Sequence, residues 1–210
     1  MKKILFMLAI LTCMVMIPKV YAYNFESGGI YYDITSPNTV AVTYATGSYN
    51  SYSGTVDIPS TVTYNGTTYT VTAIGNSAFR NSSNLTGVSI PNTVTSIGEY
   101  AFYQCNHLTS ITIPNGVETI GNHAFSGCSQ LPSVTIPNSV ITIGEYAFEY
   151  CNGLSAVTIG KSVSSIGNSA FQYCSQLSTV FFNADSCINM GQDGLFIPGT
   201  GSFNKLIIGN

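Results

Sequence analysis

The sequence contains no tryptophan, only two histidines and very few charged residues among its 210 positions. Asp, Glu, Lys and Arg together make up 7% of the chain, compared with about 25% in ordinary soluble domains. This scarcity disfavours an acid–base enzyme, which needs titratable side chains, and a nucleic-acid-binding protein, which needs Lys and Arg. Hydrophobic residues nevertheless make up 45% of the chain, so it can form a core and lacks the composition of a disordered protein.

The one long apolar run lies at residues 4–17, directly after Lys2 and Lys3, and Ala22 supplies a small residue at a cleavage position. We therefore predict a signal peptide at residues 1–22 and export of the chain. No membrane span is expected after cleavage, because the run is shorter than the roughly 20 residues of a transmembrane helix. The mature chain would keep nine acidic residues against three basic ones, a formal net charge of −6, which disfavours nucleic acid and anionic membranes as partners.

The most informative feature of the sequence is a repeated phrase. "IGEYAFYQC" occupies residues 97–105 and "IGEYAFEYC" occupies residues 143–151, with looser copies between and around them. A catalytic motif would occur once, whereas copies in register are typical of a protein whose coils stack and share one core. Five copies align on phenylalanines spaced 23 residues apart, namely Phe79, Phe102, Phe125, Phe148 and Phe171.

Each repeat contains two short extended stretches and a compact connection. Ile111 lies in "SITI", which alternates polar and apolar residues as a strand does, and Pro114 ends that strand because proline has no N–H to donate. Gly121 is expected to permit a bend. Ala124 and Cys128 are four residues apart, which suits one or two helical turns. The pattern predicts a repeat solenoid that is mainly β, with short helical turns and parallel stacked strands.

The two ends of the array are irregular. Residues 23–70 contain two hairpin patterns, one in "GIYYDI" and "TVAVTY" and one around Asn65-Gly66. We predict that they form an N-terminal β-hairpin cap and a first irregular coil, and we assign the array of 23-residue units to residues 71–182. Residues 183–210 are predicted to be an irregular C-terminal segment with an incomplete last repeat, in which "LIIGN" resembles the earlier strand "VTIGK".

Four cysteines recur at one repeat position, which is the feature that most suggests chemistry. Buried reduced thiols are favoured, because identical positions on stacked coils point their Cβ atoms in parallel. Disulfides between neighbouring coils and a metal site are the alternatives, although ligands spread along an axis do not converge on one ion. Cys187 lies outside this row and is expected to be the most accessible thiol. The row consists of Cys105, Cys128, Cys151 and Cys174.

The candidate catalytic residues occupy positions at which the repeat is variable. His107 and His123 align with chemically unrelated residues in other copies, so we expect both to face solvent. Glu99 and Glu145 are equivalent residues two coils apart, and nothing in the pattern gives them the environment of a catalytic pair. We therefore predict no enzymatic activity, no cofactor and no metal site.

Two sets of exposed positions are candidate partner-binding residues. The outward face of the first strand is rich in hydroxyl groups, which suit exposed strands in general and also a flat platform for a partner chain or a glycan. Tyrosines surround the Ala-Phe pair; some are expected only to pack across coils, but tyrosine is enriched in interfaces. The strand-face candidates are Thr112, Thr135, Thr158 and Phe181, and the tyrosine candidates are Tyr100, Tyr103, Tyr146, Tyr150 and Tyr173.

The repeat as a whole resembles a known family. The 23-residue unit, its Ile-Pro turn, the I-G-x-x-A-F-x-x-C phrase and the segment "IPSTVTYNGTTYTVTAIGNSAF" are similar to the BspA-like leucine-rich repeat proteins of bacterial cell surfaces. The resemblance implies a right-handed, leucine-rich-repeat-like solenoid that is secreted or held at the cell surface. It also implies noncatalytic adhesion to host extracellular or cell-surface proteins, including matrix proteins. A glycan-binding surface protein and a structural module that stacks end to end are the alternatives.

Overall fold

The computed structural model describes residues 23–45, 47 and 49–184, and the backbone of residues 189–190 and 205–208. Within these residues every regular element is a β-strand. The strands are β1 (Phe25–Ser27), β2 (Ile30–Ser36), β3 (Thr39–Thr43), β4 (Gly54–Asp57), β5 (Thr61–Tyr64), β6 (Thr67–Ile74), β7 (Leu85–Ser89), β8 (Ser96–Ile97), β9 (Ser110–Ile111), β10 (Thr119–Ile120), β11 (Ser133–Thr135), β12 (Thr142–Ile143), β13 (Ala156–Ile159), β14 (Ser165–Ile166), β15 (Thr179–Phe182), β16 (Asn189–Met190) and β17 (Lys205–Ile208).

The strands stack along two sides of the solenoid. One side is a continuous path in the order β1-β2-β3-β6-β8-β10-β12-β14-β16, with β5 joined to β6. The other side, which we call the strand face, is divided into β4-β7-β9 and β11-β13-β15-β17. Within the regular repeats the pairing is parallel and joins equivalent residues of successive coils, as in Ile97, Ile120 and Ile143. The predicted parallel-strand stack is therefore confirmed.

The N-terminal strands form the predicted cap. β1, β2 and β3 pair antiparallel, and β3 then pairs parallel with β6, which joins the cap to the first coil. β5 and β6 form the hairpin predicted at Asn65-Gly66, where both residues have positive φ, 49° and 79°, as a type I′ turn requires. Phe25 packs in the core of the cap, with its ring centroid 4.3 Å from that of Tyr64 and 5.3 Å from that of Tyr32.

The interior is built from rows of identical side chains. The five repeat phenylalanines are fully buried, and their rings stack with centroids 4.9–5.1 Å apart and planes within 6° of parallel. Rows of alanine, leucine and isoleucine are buried beside them. Fully burying one Phe or Leu is worth about 1.5–3 kcal/mol, so the array is stabilised by the core that neighbouring coils share and not by any coil alone.

The expected helical turns do not occur in the described residues, and this part of the prediction was wrong. Residues 99–104 instead form consecutive turns in which alternate peptides point in different directions; we call residues 98–105 and their equivalents in the other coils the turn segment. The Ala101 and Tyr103 N–H groups donate to carbonyls three residues earlier, whereas those of Phe102 and Gln104 donate to the next coil. A helix would keep all of these bonds within one coil, so the turns are the conformation that also links neighbouring coils.

Gly121 provides room for close approach and not the bend expected from the sequence. Its φ lies outside the left-handed region, so no special backbone conformation requires glycine there. A Cβ atom at this position would lie 2.7 Å from the Glu99 nitrogen and the Gly98 carbonyl carbon of the preceding coil. Successive coils therefore lie against each other at this row with no space for a side chain.

The strand face is split between β9 and β11, and one residue explains the split. At the position before each strand, the N–H group normally donates to the equivalent carbonyl of the preceding coil. Thr109 donates in this way to Thr86 at 3.1 Å, and Ser155 donates to Pro132 at 2.9 Å. Pro132 itself has no N–H, so the Thr109 carbonyl receives no such bond and the ladder is interrupted at this step.

Two short strands continue the stack beyond residue 184. β16 pairs with β14 and β17 pairs with β15, both in parallel, which confirms the strand expected from "LIIGN". The predicted signal peptide at residues 1–22 and Cys187 lie outside the described residues. The boundaries assigned to the cap, the array and the C-terminal segment stay predictions.

Candidate partner-binding surfaces

The strand-face candidates lie at and beside the split in the ladder. Thr112 and Thr135 are exposed, Thr158 is half-buried, and Phe181 is 38% exposed. An open groove of about 450 Å³ occupies the split, and Thr112, Thr135 and Thr158 all line it, whereas Phe181 lies outside its lining. The structure therefore brings three of the four strand-face candidates to one groove.

This groove, which we call the threonine groove, is polar and uncharged. Besides the threonines it is lined by Asn115, Asn138 and Asn183 together with small and apolar residues, and none of its described lining residues is ionisable. Amide and hydroxyl groups both donate and accept hydrogen bonds. The groove is therefore suited to neutral polar groups such as a peptide backbone or the hydroxyls of a sugar.

A second groove of about 420 Å³ continues along the strand face over β4, β7 and β9. It shares Ile111 and Thr112 with the threonine groove and adds Thr55 and Asp57. Asp57 is exposed and introduces a carboxylate at this end. The strand face is thus uncharged at the split and acidic toward the cap.

Three of the tyrosine candidates form one group on the turn segment, around His123. Tyr100 and Tyr146 come from the coils before and after His123, and each stacks on its ring with centroids 4.8 Å apart and planes 7° from parallel. Tyr103 meets Tyr100 edge-on, with centroids 5.4 Å apart. These tyrosines are half-buried, so part of their surface is used by packing across coils, as the sequence led us to expect for some of them.

Tyr150 and Tyr173 form a separate and more exposed pair. Their rings stack 4.7 Å apart on neighbouring coils, and the residues are 46% and 41% exposed. Both have positive φ, 55° and 58°, in the row where another coil carries Gly127. Asn81 and Gln104 share this left-handed conformation at the same repeat position, so it belongs to the turn of the repeat and does not single out the tyrosines.

His123 is only partly exposed, whereas the sequence predicted that it faces solvent. Its side chain is 25% exposed, and its Nδ1 lies 3.9 Å from the Glu149 Oε2. The Ser126 hydroxyl lies 3.3 Å from the same carboxylate oxygen as a donor. Variation between repeats did not reveal this burial, because the rings that cover His123 come from adjacent coils. His107, in contrast, is exposed as predicted, with Nδ1 2.6 Å from the Ser83 carbonyl oxygen.

Arg80 is a functional candidate that the sequence reasoning missed. Its guanidinium carbon lies 4.9 Å from the ring centroid of Tyr49, 5.2 Å from that of Tyr100 and 5.3 Å from that of Tyr103. Tyr49 precedes the repeats, so the 23-residue register could not place it near the array. A usable signal was present, because Arg80 is the only arginine in the chain and occupies the repeat position of Tyr103.

Glu99 and Glu145 are held apart by an asparagine. Asn122 occupies their row on the intervening coil, and its Oδ1 accepts the Glu145 N–H at 2.8 Å. The Glu99 N–H is bound in the same way by Asn76 at 2.9 Å. This alternation satisfies backbone donors and separates like charges. In the described part of the chain, no three His, Cys, Asp or Glu side chains are grouped so that they could hold a metal ion.

The four repeated cysteines are free and buried, which confirms the favoured interpretation for this row. Each thiol donates to the carbonyl of a phenylalanine 26 residues earlier, as Cys128 does to Phe102 at 3.2 Å. Burial raises the pKa of Cys105 to about 12 and raises the pKa of Cys128 well above its ordinary value. Cys105 and Cys128 are therefore protonated near neutral pH, and a protonated thiol is a poor nucleophile and metal ligand.

Comparison with protein families identifies the repeat. Six copies of the BspA type leucine-rich repeat region match residues 72–194, more than half of the 210-residue chain. The chain belongs to this family. Its repeat proteins are typically surface-associated protein-interaction modules and are generally non-enzymatic. Across the described residues no helix has the length and hydropathy needed to cross a membrane.

Solved structures of bacterial leucine-rich repeat proteins share the fold. The T. pallidum leucine-rich repeat protein TpLRR is 30% identical and covers 82% of this chain and 77% of its own, with a TM-score of 0.69. A leucine-rich cell surface protein from Faecalibacterium prausnitzii is also 30% identical, covers 81% of this chain and has a TM-score of 0.58. This chain spans about half of that protein, 51%. No curated protein matches the chain.

Proposed function

We propose that the chain is an exported, noncatalytic binding protein that mediates adhesion to host extracellular or cell-surface proteins, including matrix proteins. The supporting observation is the contrast between the interior and the outward positions of the coils. Inside the array each coil repeats the same apolar side chains, whereas the outward positions carry a row of threonine hydroxyls in the threonine groove and, on some coils only, tyrosines on the turn segment. Membership of a surface-associated, protein-interacting family and similarity to a cell surface protein support the same function.

The two surfaces would contribute differently to binding. The threonine groove offers neutral donors and acceptors that suit the backbone of an extended partner segment. Tyr150 and Tyr173 offer exposed rings, and tyrosine gives a large contact area at a small entropy cost. Charge contributes little at either place, so we expect capture to depend weakly on salt there.

Capture of immobilised matrix proteins by residues 23–210 would test the proposal. Tyr150→Ser combined with Tyr173→Ser should weaken capture about fivefold or more, since truncating an interface hot spot costs more than about 1 kcal/mol. Thr135→Lys should weaken it as well, by placing a charge in the neutral groove. Ile141→Ser is the matched control, because Ile141 is 44% exposed but belongs to neither surface. Equal capture by the tyrosine double variant and wild type would contradict a role for this pair.

A glycan-binding function is the second candidate, and the uncharged lining of the threonine groove favours it. A neutral oligosaccharide would satisfy the threonine hydroxyls and asparagine amides with its own hydroxyls. Glycan-array binding that Thr135→Lys abolishes and the tyrosine double variant leaves intact would support this function. Binding to proteins alone would argue against it.

A further inference from the structure

Arg80 carries a charge that the described protein does not neutralise. The chain has nine acidic residues and one arginine, yet the contact within 4 Å between a basic and an acidic side chain in the described residues joins His123 and Glu149 and does not include Arg80. The Arg80 Nε is buried without a hydrogen-bond partner, and no described residue accepts from the rest of its guanidinium. Arginine has five N–H donors, so this side chain retains unused binding capacity.

Three tyrosines hold the guanidinium in place. The rings of Tyr49, Tyr100 and Tyr103 lie 4.9–5.3 Å from its central carbon, within the distance of a cation–π interaction. Arg80 is half-buried among them. An arginine already restricted in this way loses less side-chain entropy when it binds a ligand than a freely moving one does.

We propose that Arg80 and these three tyrosines form a carboxylate-binding site for an aspartate or glutamate side chain of a partner protein. This inference rests on the proposed function as a protein-binding module and adds one anchor to it. The planar guanidinium matches a carboxylate with two parallel hydrogen bonds, which are stronger than bonds between neutral groups. Arginine and tyrosine are also the residue types most enriched among interface hot spots.

The arrangement of the rings favours a protein side chain over a sugar acid. A sugar ring that packs on an aromatic residue needs an open ring face. The Tyr100 ring lies against the Arg80 guanidinium. The same ring also stacks on the His123 ring, with centroids 4.8 Å apart. The rings of Tyr49 and Tyr103 are likewise directed to Arg80. The site therefore fits a small planar anion on a flexible stem.

Nuclear magnetic resonance can observe this site directly, because a single arginine gives a single Nε–H signal. We expect a saturable shift of that signal with acetate and with the blocked peptide acetyl-Gly-Glu-Gly-amide, at millimolar concentrations, and no such shift with acetamide or the matching Gln peptide. An equal response to acetate and acetamide, or no saturable response to acetate, would overturn the site. Tighter binding of glucuronate than of the Glu peptide would overturn its assignment to a protein side chain.

Variants connect the site to partner capture. Arg80→Gln should reduce protein capture about tenfold, which corresponds to about 1.4 kcal/mol, because it removes the hydrogen bonds between a charged donor and a charged acceptor. Arg80→Lys should give an intermediate loss of capture, because lysine keeps the positive charge but lacks the planar guanidinium group. A thermal melt of each variant shows whether its fold is intact. Glu118→Gln removes an exposed charge outside both grooves and the Arg80 site and should leave capture unchanged.

The outcomes separate this inference from the proposed function. Equal capture by wild type and Arg80→Gln would overturn the inference and leave protein binding intact. If wild type captures no protein, the proposed function and the assignment to a protein side chain both fail. The acetate titration would then still decide whether Arg80 forms a carboxylate site.

Discussion

The turn segment and the strand face differ in how completely their structure repeats from coil to coil. On the turn segment, glycines, turns and buried phenylalanines continue from coil to coil, and alternate peptides bond to the next coil throughout. On the strand face the ladder stops between β9 and β11, at Pro132, and a groove of about 450 Å³ opens there. The difference teaches that continuity stabilises this fold, and the proposed function assigns the interruption to the binding of a partner. Substitutions on the two sides should therefore have unequal effects.

The largest effect is expected in the continuous phenylalanine stack. Phe125→Ala removes a fully buried ring that lies 5.0 Å from its neighbours in both adjacent coils. The free energy of unfolding should fall by about 3–5 kcal/mol, measured by denaturant titration. Thr112→Ala, at an exposed position of the strand face, should stay within about 0.5 kcal/mol of wild type. A loss below about 1 kcal/mol for Phe125→Ala would mean that the stack is not the main stabilising element.

A matched pair of glycines tests the two sides with one chemical change. Gly121→Ala on the turn segment places a Cβ 2.7 Å from backbone atoms of the preceding coil, and such overpacking should cost about 1–3 kcal/mol. Gly87→Ala on the strand face meets its nearest atom, the Ser110 Oγ, at an ordinary 3.6 Å. It should be neutral or stabilising by about 0.5–1 kcal/mol. Equal destabilisation of the two variants in thermal melts would contradict the contrast between the sides.

The buried thiols of the turn segment make the fold sensitive to alkali. The pKa of Cys105 is about 12 in the folded protein, against 9.0 ordinarily, because burial disfavours the thiolate. As pH rises, the Cys105 thiol therefore loses its proton in the unfolded chain before it does in the folded protein. The contribution of this thiol to the free energy of unfolding is fully present below about pH 9 and is lost as pH rises toward 12. Near pH 10 we expect Cys105 alone to reduce the free energy of unfolding by about 1 kcal/mol per pH unit.

Denaturant titrations between pH 7 and 11 measure this slope. Cys128→Ala removes one such group, since burial raises its pKa in the same direction. The variant should be less stable at pH 7 but lose less stability between pH 8 and 10 than wild type does. Parallel pH profiles for the two proteins would show that the row of thiols does not control the alkaline transition.

The sequence predicted what the repeat itself encodes. Equivalent residues such as Ile97 and Ile120 pair in register, and Asn65-Gly66 forms its hairpin, because periodicity and turn chemistry are local signals. The spacing of Ala124 and Cys128 did not distinguish a helix from consecutive turns, since both place these side chains inward.

The parts of the candidate sites that were missed depend on contacts between coils or outside the repeat. His123 varies in the alignment, yet rings of the two adjacent coils cover it. The cage around Arg80 needs Tyr49 from the cap. The sequence shows Pro132 at a repeat position that is Ser or Thr in the other coils. A pattern of hydrophobic residues does not reveal that proline lacks the backbone N–H that the ladder needs at this position.

Pro132→Ser should have the smallest effect on stability and the most specific effect on the groove. The new N–H can donate to the Thr109 carbonyl, a gain of about 0.5–1.5 kcal/mol. Removing proline also frees the unfolded chain, a loss of about 0.4–1 kcal/mol, so the denaturation midpoint should hardly move. Hydrogen exchange should nevertheless find the new amide protected, as Ser155 is expected to be in the equivalent ladder position.

The same variant decides what the interruption is for. Pairing of β9 with β11 would draw together the walls that carry Thr112 and Thr135, so capture by the threonine groove should weaken while the acetate response of Arg80 stays unchanged. Pro91→Ser, which removes the same ring away from the split, should leave both readouts as in wild type. If capture survives in a Pro132→Ser variant whose new amide is protected, then the groove binds through its side chains alone, and the missing ladder bond is a local defect without a role in recognition.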